Sequence, residues 1–133
     1  MVRLLVGTDG PDVSEALVEY LADTVGEDDA VYIVNSQEGG NKSSADDINE
    51  GEDALEILEE GLSAAGAMET QQFVRGKAPV EDLLDIAEDW DADEYVIGIR
   101  KRSPVGKMVF GSTAQNLLLE ADLPVRCVPM VSD

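Results

Sequence analysis

The chain has 133 residues, 44% of them apolar, which suits one domain with an ordinary core and leaves little room for a second. Twenty-nine acidic residues against nine basic ones give a formal net charge of −20, and so acidic a surface repels nucleic acid and anionic membranes, excluding both as expected partners. The absence of histidine excludes a histidine-based catalytic triad, a histidine zinc site and histidine acid–base chemistry, and the lone Cys127 admits no intramolecular disulfide.

In chain order, Val2 to Thr8 is an apolar run ending in Gly-Thr-Asp-Gly, the pattern of a strand buried on both faces rather than of a signal peptide. Asp12, with Glu15 three residues on, predicts a capped helix whose buried stripe is Val13, Leu17, Leu21 and Val25, stopped at Gly26. Ala30 to Ser36 is a second buried strand, and the polar stretch from Gln37 to Asn49 is a long loop. A second helix is expected from about Glu52 to Ala65, with Leu55, Leu58 and Leu62 on one face and Gly66 as its stop. Met68 to Arg75 alternates, with Gln71 and Gln72 in its middle, and is expected to be a partly solvated edge strand. Pro79 opens a third helix lined by Val80, Leu83, Leu84 and Ala87 and ending near Trp90. Glu94 to Ile99 is the fourth strand, followed by a loop from Arg100 to Phe110. Ser112 and Gln115 form a capping-box pattern for a last helix carrying Leu117, Leu118 and Ala121, and Val125 to Val128 is the last strand.

Strands alternating with helices to the end imply a mostly parallel sheet in a three-layer α/β/α sandwich, with no internal repeat or linker, so that residues 1–133 form one domain. No apolar run approaches the ~20 residues needed to cross a bilayer, and a cytoplasmic location is expected. The acids are spread over helix faces and loops rather than gathered in a tail, and only two lysines lie outside one loop. At about 1 M salt the Debye length is only ~3 Å, so this distribution predicts a halophilic protein, its self-repulsion screened by concentrated internal salt.

Ligands of open α/β sheets bind beyond the carboxyl ends of strands, where the strand order reverses. Two such ends stand out. The first strand ends in Gly7-Thr8-Asp9-Gly10. The fourth runs through Gly98 into Arg100, Lys101, Arg102 and Lys107, four of the nine basic residues, before Gly111-Ser112-Thr113 opens a helix. Free backbone N–H groups and a dipole at that helix start, glycine for close approach, and two hydroxyls suit an anion such as phosphate. The same residues also suit a plain helix cap and ion pairs with surface acids, and the residues alone leave both readings open.

The spacing carries a resemblance. The universal stress protein family has glycine, two residues, glycine, nine residues, glycine, then serine or threonine; here Gly98, Lys101, Gly111 and Ser112 stand at those positions. Asp9 matches the family's aspartate beyond the first strand, and Leu123 to Pro129 is similar to its short last strand, so the similarity runs from Val2 to Pro129. The chain is identified as a single-domain member of haloarchaeal type. The resemblance implies a five-stranded sheet in order 3-2-1-4-5 and a homodimer through the last strand. It implies a stress-response regulatory role, binding ATP or a related adenine nucleotide (AMP or ADP), with or without Mg2+. Thr8 and Asp9 would then face adenine or ribose and the backbone near Asn35 would read the adenine edge, while Gly98, Arg100, Gly111, Ser112 and Thr113 would hold ribose and phosphates. Lys101 departs from the family glycine: either the loop takes another path, or the ammonium meets a phosphate directly. The rival reading is a dimeric interaction module with an empty pocket.

Other signals fall away. Gly106-Lys107 lacks the hydroxyl residue and the leading glycine of a Walker loop, and the stretch around Gly51 has Ile48 and Ile57 where a calcium loop needs ligands. Nothing near Asp9 resembles a phosphatase motif, no residue is an obvious catalytic base, and Cys127 reads as inert core in an apolar strand. No catalytic residue or protein metal site is expected, and at most slow ATP hydrolysis.

Overall fold

In the computed structural model, residues 2–37, 45–74, 79–100 and 112–130 are described. Five strands, β1 (Arg3–Gly7), β2 (Ala30–Gln37), β3 (Ala67–Val74), β4 (Glu94–Arg100) and β5 (Val125–Met130), alternate with four helices, α1 (Pro11–Leu21), α2 (Ala45–Gly61), α3 (Pro79–Trp90) and α4 (Ser112–Glu120). All strand pairs are parallel and the order is β3-β2-β1-β4-β5, as the resemblance implied.

The near-continuous apolar runs of β1, β2 and β4 are what a sheet covered on both faces requires. Leu4, Val6, Val31, Ile33 and Val96 face one side, where Val13, Leu17 and Leu21 of α1, Leu55 and Leu58 of α2, and Leu62 just past the end of α2 close over them. Leu5, Val34, Tyr95, Ile97 and Ile99 face the other, under Val80, Leu83, Ile86 and Ala87 of α3 and Ala114 and Leu117 of α4. Leu5, Leu17, Leu21, Leu58 and Leu117 are fully buried, and truncating any of them to alanine costs ~2–5 kcal/mol. Glycines set three close approaches: a Cβ at Gly61 would collide with Val18 where α2 crosses α1, one at Gly66 would collide with the Glu27 carbonyl, and one at Gly98 would lie 2.7 Å from Val13 Cγ1.

Three boundaries differ from expectation. Asp12 does not cap α1: Gly10, with extended backbone, is the N-cap, and Pro11 takes the first turn, where its missing N–H costs nothing. The Asp12 carboxylate instead accepts from the neighbouring Val13 N–H at 2.9 Å. The same helix ends at Leu21, but a turn returns Val25 to the core, its N–H donating to the Leu21 carbonyl at 3.0 Å. Most notably, α2 starts at Ala45, not Glu52, so residues 45–49 of the expected 37–49 loop are helix. Its first turns, Ala-Asp-Asp-Ile-Asn-Glu, carry no apolar stripe to read, although acids suit a helix N-terminus.

At the amino-terminal end of the sheet, α3 closes with Asp91 in the left-handed region (φ 58°). The Ala92 N–H reaches back to the Ala87 carbonyl at 3.0 Å, and both residues are buried, the two marks of a Schellman ending. No basic residue lies in the last turn of α3, and β1 supplies one. Arg3 Nε and Nη2 donate to the Trp90 carbonyl at 3.0 and 2.6 Å, with the guanidinium 4.2 Å from the Trp90 ring centroid.

Candidate functional site

The sheet order reverses between β1 and β4. From β1 the chain passes to α1 on one face and β2 on one side, whereas β4 leads to α4 on the opposite face and β5 on the other side. The reversal falls at the paired ends Gly7 and Ile97, the place where a doubly wound sheet has its crevice. Open α/β sheets bind ligands at such a point.

A buried polar network floors one side of it. Thr8 is 6% exposed and its N–H donates to the Val34 carbonyl at 3.0 Å. Its hydroxyl lies 2.8 Å from Ser14 Oγ and 3.0 Å from the Gly10 carbonyl. Ser14 spends its single proton on the Ala54 carbonyl of α2 at 2.7 Å, so the Thr8 proton is left to the Ser14 oxygen and the Gly10 carbonyl. Asn35, 1% exposed, donates from Nδ2 to the Thr8 carbonyl at 3.0 Å. Its Oδ1 accepts from Gln72 Nε2 at 3.1 Å, and the second Gln72 amide proton goes to the Ile48 carbonyl at 3.0 Å. The chain Thr8–Asn35–Gln72–Ile48 thus ties the ends of β1, β2 and β3 to the first turns of α2.

The expected site residues divide by role. Asp9 is exposed, at the bend between β1 and α1 on the rim of the crevice. The side chains of Thr8 and Asn35 point into the protein and hold the rim rather than face outward. Gly98 sits one residue past the paired end of β4, and its lack of a side chain also admits Val13 of α1. Arg100 ends β4, and Ser112 and Thr113 open α4. Lys101 and Gly111, with the rest of the expected basic loop, lie outside the described residues.

Electrostatics distinguishes the helix starts. The first turn of α1 carries Asp12 and that of α3 carries Glu81 and Asp82, which occupy the positive dipole ends with protein carboxylates. The first turn of α4 carries no acid, and a helix start of that kind suits an anion. Among the described residues no cluster of three or more histidine, cysteine, aspartate or glutamate side chains forms a metal site. Burial pushes the Cys127 thiol up from its ordinary pKa, which suits an inert packing role.

Three residues of this region escape a linear reading. Ser14 looks like an ordinary helix position one turn after Pro11. Gln72 looks like edge-strand solvation, although strand parity puts it on the face of Met68 and Thr70, and the register sets it opposite Asn35. Asp82 reads as a solvated acid of α3 yet has no exposed surface.

Comparison with known proteins agrees with this geometry. Residues 1–129 match the model of the universal stress protein family. A universal stress protein of Mycolicibacterium smegmatis is 35% identical over 127 residues, spanning 94% of this chain and 95% of the relative. The structure of a universal stress protein from Archaeoglobus fulgidus superposes with a TM-score of 0.76 at 36% identity, covering 96% of this chain and 98% of that one. A second structure, the universal stress protein from the same organism in complex with dAMP, gives a TM-score of 0.68 at 30% identity with the same coverage. In sequence and in fold, this chain belongs to the universal stress protein family.

Proposed function

We propose that this protein is a stress-response regulator, residues 1–133 acting as one domain that binds ATP or a related adenine nucleotide across the β1/β4 crevice. The observation that carries the reading is the acid-free start of α4 at the topological switch point, in a chain whose other helix starts at α1 and α3 bear acids. The four basic residues of positions 100–107 stand next to it in sequence, and the Archaeoglobus fulgidus relative is described with dAMP. Phosphates would lie at α4 and the base toward Asp9 and Thr8, the latter's backbone held by Val34 and Asn35. Any Mg2+ would arrive on the phosphates, since it keeps most of its own waters and needs few protein ligands. The role is binding, not catalysis, in the cytoplasm and at high salt, as a homodimer through β5.

A second reading, an interaction module with an empty pocket, draws on one observation: the Thr8 hydroxyl and the Asn35 amide are already engaged within the protein. Titration calorimetry with ATP, AMP and adenosine in molar salt separates the two. Binding that Gly111→Val abolishes in a folded protein supports the nucleotide site, and no heat with any of the three ligands supports the module.

A further inference from the structure

The polar relay at the rim has both of its ends on one helix. From Asn35 it runs through Gln72 to the Ile48 carbonyl, and from Thr8 it runs through Ser14 to the Ala54 carbonyl. Ile48 and Ala54 both belong to α2, so the hydrogen bonds close a ring through α1, β2, β3 and the residue after β1. The direction of the bonds is forced on the Gln72 side. The Thr8 and Ile48 carbonyls can only accept. Asn35 therefore turns its amide N–H to Thr8 and its oxygen to Gln72, and Gln72 must give both Nε2 protons, at 3.1 Å to Asn35 Oδ1 and at 3.0 Å to Ile48. The stretch of α2 held in this way has little else to hold it. Beyond Ala54 the buried Leu55 and Leu58 fasten the helix. Before it Asp46, Asn49 and Glu50 are exposed, Ile48 is half-buried, and the buried Gly51 has no side chain to pack. Segments with so few buried apolar groups open locally at low free energy.

We infer that Gln72 is a positioning residue that makes docking of the first turns of α2 and setting of the base side of the crevice one event. The inference rests on the reading that an adenine nucleotide binds with its base toward Asp9 and Thr8. Gln72 acts through Asn35, which is 1% exposed, and through it on the Thr8 carbonyl. While residues 45–50 are docked, the Ile48 carbonyl holds Gln72, and Gln72 holds the Asn35 oxygen. When they lift, Gln72 loses the partner that orients it, and a buried amide that loses its own partner in turn is costly to keep in place. The coupling is reciprocal: a ligand that needs the rim in its set form tightens the start of α2 by the factor by which docking tightens the ligand. An edge-strand glutamine thereby ties a weakly packed helix start to a ligand it does not touch.

The test measures hydrogen–deuterium exchange with and without AMP, beside calorimetric titration with AMP and adenosine, on the whole protein in molar salt. Gln72→Met keeps the length of the side chain and removes both donors, and Gln72→Glu keeps its shape and sets an acceptor against two acceptors. Without ligand, both variants speed exchange of the amides of residues 49–53 by about tenfold or more, the net effect of two neutral hydrogen bonds. Saturating AMP slows exchange of the same amides in wild type. AMP and adenosine both lose affinity in the variants, by about threefold or more and by the same factor, since fewer molecules are docked and the base is common to the two ligands. Should Gln72→Glu fail to fold, Gln72→Met decides. Unchanged exchange at 49–53, or faster exchange with unchanged affinity, reduces Gln72 to a structural contact and overturns the inference while the nucleotide reading stands. A loss confined to AMP places the effect on the phosphate side and overturns it as well. A wild type that binds neither ligand overturns the nucleotide reading, and the coupling with it.

Discussion

The two ends of the sheet are built on different chemistry. At the amino-terminal end, ionic and aromatic groups at the surface close the strand starts. Asp29 accepts from the Val2 and Gly26 N–H groups at 3.1 and 3.0 Å, Asp93 from the Arg3 N–H at 2.8 Å, and Tyr32 meets Trp90 edge to face at 5.5 Å. At the carboxyl-terminal end, the neutral Thr8, Ser14 and Asn35 are buried in a relay that the half-buried Gln72 completes, and the exposed Asp9 stands apart from it. Exposed ionic contacts are individually weak and tolerate loss. A buried polar relay is costly to interrupt, because each abandoned partner is left without water. The amino-terminal end is thus a fastening, and the carboxyl-terminal end a shaped rim.

The comparison breaks most visibly at Asn35. Asn35→Ala strands the buried Thr8 carbonyl and removes a partner from Gln72, and should cost about 2–4 kcal/mol in denaturant unfolding. Nucleotide affinity should fall with it, because the rim beneath the proposed base loses its support. A loss below about 1 kcal/mol would mean that water or backbone repairs the relay.

Arg3→Met at the opposite end removes the charge from the α3 carboxyl terminus and the stacking on Trp90. A loss of about 1–2 kcal/mol is expected, with nucleotide affinity unchanged in the folded protein. Altered affinity would show that the two ends are coupled through the sheet.

Asp91→Gly should stabilise by about 1 kcal/mol, read as a rise in melting temperature. It releases a side chain from the left-handed region and removes a carboxylate from the negative end of the α3 dipole. Asp91→Asn should recover part of the gain, separating charge from backbone strain.

The smallest effect is at Asp29. Hydrogen bonds from the Gly26 and then the Val2 N–H hold its carboxyl below the ordinary aspartate range. A carboxyl depressed in the folded state contributes stability that is fully present above its unfolded pKa of 3.8 and is lost as pH falls through the lower folded value. Asp29→Asn should lower stability slightly near neutrality, where the carboxylate's contribution is fully present, and flatten the stability–pH profile in that acid window.

The sequence by itself determined the architecture. Apolar runs bounded by turn residues in Val2–Thr8, Ala30–Ser36 and Glu94–Ile99 can only be strands covered on both faces, and four helices between five strands leave a parallel sheet as the economical arrangement. It also pointed to the switch point as the candidate site, because glycines mark the ends of the first and fourth strands and four basic residues follow the fourth in a chain otherwise acidic. Tertiary structure alone decided the rest. The first turns of α2 carry no periodic signal, and their Ile48 carbonyl is held by Gln72, 24 residues away. Thr8 is a polar residue that a linear reading turns toward a ligand, but which way it and the Asn35 side chain face depends on Ser14, Ala54 and Gln72, brought beside them only by strand register and helix crossing. Periodicity reports which residues leave water, and it is blind to which polar partners they meet there, because a hydrogen bond is set by distances across the fold and not by spacing along the chain.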